Sequence, residues 1–126
     1  MQEETGVSDP TADFFGDLNQ RGHQPLLGKV SGRARFDIVE EGQTRRWLVS
    51  IDNGDVSVSP HADEGTGAEC IVRADKALFD RLCRGEGNAM AAVLRGAVGC
   101  AGDVELLLAL QRVFPGPQRS PIGETG

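Results

Sequence analysis

The chain has 126 residues, of which 39% are hydrophobic and 25% charged, so it carries enough apolar material for one core and too little for two. Its net charge of −6, from 13 Lys and Arg against 19 Asp and Glu, excludes polyphosphate and anionic surfaces as general partners. Nucleic acid is therefore not expected, and membrane contact is expected to be transient at most, because no apolar run exceeds the six residues Ala89 to Leu94 where a spanning helix needs about twenty.

Residues 1–8 read as a loose acidic tail with neither the basic start nor the apolar stretch of a secretory signal. Asp9-Pro10 then offers a cap acceptor followed by a proline at the first helical position. Phe14, Phe15 and Leu18 give that helix an apolar stripe, and Gly22 is its stop. From His23 to Gly32 a loop is expected, with Leu26 and Leu27 plugging the core. The period then changes to two. Ala34, Phe36 and Ile38 alternate in one strand, Glu41-Gly42 turns the chain, and Trp47, Val49 and Ile51 share a face of the next. Asn53-Gly54 is a tight hairpin signal, Val56 and Val58 mark a third strand, and Cys70, Val72 and Ala74 a fourth. An antiparallel meander with one buried face is the expected arrangement.

Helical spacing returns after Ala74. Asp75 can cap a helix with the stripe Leu78, Phe79 and Leu82, closed by Arg84-Gly85. A shorter one follows from Asn88 to Arg95, with Met90, Val93 and Leu94 expected inward, and Val98 and Cys100 suit a short fifth strand. Asp103 can cap the last helix, which is apolar almost all round from Val104 to Phe114 and so must be covered on most sides or face an apolar cavity. Pro115 stops it, and 115–126 reads as a disordered tail rich in Pro and Gly. The domain is thus expected over 9–114, an α+β sandwich of helices on one sheet.

Candidates for chemistry are few. The chain has two histidines, His23 and His61, and no tyrosine. His61-Ala62-Asp63-Glu64 reads as a solvated loop, since neighbours in sequence seldom supply the geometry of a dyad. Ser50, Ser57 and Ser59 lack a nucleophile elbow, and Gly85-Glu86-Gly87 lacks the preceding strand and following Lys of a phosphate loop. Cys70, Cys83 and Cys100 form no metal or disulfide spacing and are expected reduced, in a cytoplasmic protein with no cofactor and no metal. The apolar excess of the helices is more informative, because Met90, Leu94, Leu107, Leu108, Leu110 and Phe114 exceed one stripe per helix and leave either ordinary core or a ligand cavity.

The order Phe36-Asp37-Ile38, Trp47-Leu48-Val49, Gly54-Asp55-Val56-Ser57-Val58, Leu78-Phe79 with Leu82, Asn88-Ala89-Met90-Ala91-Ala92, Gly96 and Gly102-Asp103 with Leu106 to Leu110 resembles the sterol carrier protein 2 family over about residues 14 to 114. The resemblance implies a five-stranded, mainly antiparallel sheet with about four helices on one face, enclosing a hydrophobic tunnel for sterols, fatty acids, fatty acyl-CoA or phospholipids. Under it, Phe79, Met90, Leu94, Leu107, Gln111 and Phe114 should line a cavity beside the sheet face bearing Phe36, Trp47 and Val49. Many relatives carry lysines around the fifth strand, where this chain has Ala97, Gly99 and Ala101, and the family's peroxisomal ending is absent. The expected function is a non-catalytic bacterial carrier of a lipid-like small molecule, working as a monomer or weak homodimer. The alternatives are an isomerase or cyclase using the same pocket, and an interaction or dimerisation module.

Overall fold

Asp9 starts the first helix, α1 (Pro10–Arg21), by accepting from the Ala12 N–H, and the left-handed Gly22 ends it. The structure, a computed structural model, describes residues 9–115, so the tails expected at 1–8 and beyond Pro115 lie outside the described residues. A single 3-10 turn, Pro25–Leu27, follows α1. It buries Leu27 but leaves Leu26 58% exposed, so one leucine of the pair enters the core and not both. A turn this short presents one face inward, and adjacent side chains diverge from it.

Five strands follow: β1 (Ser31–Glu40), β2 (Gln43–Asp52), β3 (Asp55–Pro60), β4 (Cys70–Asp75) and β5 (Gly99–Gly102). The two hairpin turns take positive φ at Glu41-Gly42 and at Asn53-Gly54, the backbone twist that joins antiparallel strands over two residues. Helices α2 (Lys76–Cys83), α3 (Ala89–Leu94) and α4 (Val104–Leu110) begin at Asp75, Asn88 and Asp103, each capping with its side-chain oxygen.

The sheet order is β3-β2-β1-β4-β5, and the meander expected for the first four strands is not what forms. β4 leaves β3 behind, crosses the sheet and pairs parallel with β1, with Phe36 opposite Val72; β5 then pairs antiparallel with β4. Alternation fixes which face a strand buries but not which neighbour it takes. The nine-residue span between Pro60 and Cys70 is longer than a hairpin and carries the crossover.

β1 is therefore central and buried on both faces from Ala34 to Ile38. Arg35 and Asp37 occupy its second face as an ion pair with Nε to Oδ1 at 2.8 Å. The Arg35 Nη1 donates to the Glu64 and Thr66 carbonyls of the crossing loop, which satisfies the buried guanidinium. The other face holds the core: Phe36, Trp47, Val49 and Val72 from the sheet meet Phe15 of α1, Phe79 of α2 and Leu107 of α4. Where β5 runs into α4, Gly102 has φ +95°, and a Cβ there would collide with the Glu69 carbonyl oxygen.

Candidate functional site

Between the sheet and the last two helices lies a small void of about 10 Å³. β1 and β4 contribute Phe36 and Val72, and α2 contributes Phe79 and Leu82 from its expected stripe. α3 contributes Ala89 and Val93, and Val98, Leu107, Gln111 and Phe114 complete the wall. The volume is about that of one water molecule, and Gln111 is the single polar side chain in the wall. No acid, base or thiol lines it, and the surface that faces the void is apolar throughout, Gln111 bordering it through the carbons of its side chain.

Five residues expected at a cavity meet here: Phe36, Phe79, Leu107, Gln111 and Phe114. The other four lie elsewhere. Val49 is sealed in the sheet interior, Trp47 borders a different cleft, and Met90 is half-buried outside the wall. Leu94, expected inward, is 82% exposed. The correction follows from helix geometry: α3 docks through Ala89, Ala92 and Val93, and at about 100° per residue Leu94 is rotated about 140° from Ala89. Small residues let the short helix lie close to the core, which sends its largest side chain outward. Val72, Leu82, Ala89, Val93 and Val98 complete the wall, and the Ala89/Val93 spacing of four is the signal that finds the α3 face. α4 is also less covered than its composition implies, with Val104 45% and Leu108 41% exposed.

A larger open groove of about 480 Å³ lies nearby, with a mixed wall in which Phe14, Leu18, Val113 and Pro115 alternate with the charged Asp13, Asp17, Arg21 and Arg84 and with Cys83. Phe14 borders the groove, Phe114 borders the void, and their ring centroids are 4.5 Å apart, so this aromatic pair stands between the two spaces. Burial pushes the Cys83 thiol up to about 12, and burial next to Cys100 does the same for Cys70, so both thiols are neutral at physiological pH. The histidines take no part: His23 pairs with Asp55 at 2.8 Å on the surface, and His61 sits in the exposed loop after β3.

The profile of the SCP-2 sterol transfer family matches residues 15–115. The chain belongs to that family. Human sterol carrier protein 2 is 28% identical over 98 residues; the match covers 76% of this chain but only 17% of the human protein, so the chain corresponds to a small part of that relative. Among solved structures, sterol carrier protein domain 2 of Helicoverpa armigera superposes with a TM-score of 0.69 at 18% identity, covering 95% of this chain and 99% of that one. Sterol carrier protein 2 of Aedes aegypti, solved in complex with the C16 fatty acid palmitate, gives 0.63 at 19% identity, covering 84% and 94%. These likenesses fix the family fold, with its mixed five-stranded sheet, onto which the void and the groove are built.

Proposed function

We propose that this chain is a carrier for a lipid-like ligand with a long apolar chain, held without chemical change in a site formed when the void and the groove join. The observation that carries this reading is the pair of spaces on either side of Phe14 and Phe114, one of them walled by apolar side chains and Gln111 alone. Rotation of Phe114, in extended conformation at the end of the 3-10 turn Gln111–Val113 that follows α4, would remove the partition. The Gln111 amide would then orient a headgroup. The palmitate complex of the mosquito relative supports a fatty acyl chain over the other family ligands. The void's wall, without acid, base or thiol, supports holding over transforming in that half of the site, while the charged groups Asp13, Asp17, Arg21 and Arg84 and the neutral Cys83 thiol lie in the open groove. The reading includes a cytoplasmic setting, supported by three cysteines without a disulfide, and a monomer or at most a weak homodimer.

Displacement of a fluorescent fatty acid tests it, with circular dichroism confirming that each variant folds. Leu107→Glu should abolish binding, because an unpaired carboxylate in this wall costs several kcal/mol, and Leu107→Met should leave it nearly unchanged. A folded Leu107→Glu protein that binds like the parent would overturn the carrier reading.

A further inference from the structure

A third cleft, of about 200 Å³, opens at the β1–β2 hairpin end of the sheet, against the first turns of α1 and α2. Trp47 forms part of its wall. The indole is 5% exposed, stacked on Phe15 at 4.7 Å and covered by the Arg45 guanidinium 4.1 Å from the ring centroid. Its N–H is buried and has no acceptor, and a buried donor of this kind is seldom left unpaired in a folded protein.

The charges around the cleft divide into two groups. The Lys76 ammonium is already engaged, at 3.1 Å from Asp9 and 2.9 Å from Asp80. Burial opposes its charge, but the hydrogen bonds to those carboxylates outweigh it and hold Lys76 above the ordinary lysine value. Arg45 is different: among the described residues it makes no ion pair, although Glu40 lines the same cleft. Arg45 and Trp47, at i and i+2 on one face of β2, thus border one cavity, the guanidinium without an ion pair among the described residues and the indole N–H, just beneath the surface, without an acceptor.

We propose that this cleft is a binding site for a small oxyanion, a carboxylate or a phosphate group, that accepts from the Trp47 N–H while Arg45 neutralises it. The cationic guanidinium favours an anion over a neutral carbonyl, since charge-assisted hydrogen bonds are the stronger kind. Two carboxylates of the cleft, Glu40 and the Lys76-paired Asp9, oppose that anion and set a ceiling on its affinity. The site lies apart from the apolar void, with which it shares no wall residue, and it stands or falls independently of the carrier reading.

Trp47 is the chain's single tryptophan, so the emission comes from one indole that borders this cleft. The folded protein is titrated with sodium acetate and with inorganic phosphate at constant ionic strength, against sodium chloride as control, and the heats are measured by calorimetry. A saturable emission change with either anion is expected, and the effective one identifies carboxylate or phosphate as the group taken. Arg45→Gln should weaken it about tenfold or more, and Glu40→Gln should strengthen it. A response that chloride reproduces, one that Arg45→Gln leaves unchanged, or no response to either anion would overturn the site.

Discussion

The two ends of the helical layer are built to different standards. Under α1 and α2, Phe15 stacks on Trp47 at 4.7 Å and Phe79 at 5.8 Å and meets Phe36 edge-on at 5.2 Å, with no side chain of this cluster exposed by more than a few per cent. Under α3 and α4 the contacts thin out. α3 buries only Ala92 completely, α4 leaves Val104 and Leu108 in water, and the space between them and the sheet closes around a void. Packing density is what makes an interior resist deformation, so the first end is the rigid support and the second is where a ligand could be admitted.

The largest effect that would break this contrast is at the packed end. Phe15→Ala should cost about 3–5 kcal/mol in urea unfolding, because a fully enclosed ring leaves a cavity that its stacked neighbours cannot close. A loss below about 1 kcal/mol would show that the aromatic cluster repacks freely, and the distinction between the two ends would fail.

Phe114→Ala sharpens the same contrast from the boundary. This ring is half-buried, 4.5 Å from Phe14 and 5.6 Å from Phe79, so its removal should cost about 1–3 kcal/mol, less than Phe15. It should also tighten the binding of a fluorescent fatty acid by about threefold to tenfold, since the closed state no longer has to be opened first. Weaker binding by a folded variant would mean that the ring contacts the ligand and does not gate it.

Much of this was legible in the sequence, and the exceptions share a cause. Caps, turns and stripes are local, so the helices starting at Asp9, Asp75, Asn88 and Asp103, and the Asn53-Gly54 turn, follow from residue types and spacing. Strand partners are not local. The alternation of Cys70, Val72 and Ala74 is the same whether β4 sits beside β3 or β1, and only the long crossing loop hints at β1. The buried Arg35–Asp37 pair escaped for a related reason: a polar alternate on a strand reads as solvent-facing until the loop that covers it is known. At the cavity, long-range placement decided which apolar residues met. Phe36, Phe79, Leu107, Gln111 and Phe114 converge, whereas Trp47 and Val49 share the face of Phe36 but sit on β2, across β1 from the β4 side where Val72 lines the void.

The smallest expected effect is at Leu94, and it tests the thin end directly. A leucine normally marks a core position, and Leu94→Ser in a packed helix would remove apolar contact and bury a hydroxyl. Here the side chain is 82% exposed and α3 is anchored by Ala89, Ala92 and Val93, so there is little contact to lose. Stability should change by no more than about 0.5 kcal/mol. The paired control is Ala92→Leu, which forces a larger side chain beneath the same helix turn at a fully buried position and should cost about 1–3 kcal/mol. If Leu94→Ser proves the costlier of the two in urea unfolding, α3 docks on the opposite face. The void would then be walled by Leu94 in place of Val93, and the side chains assigned to the thin end would have to be exchanged.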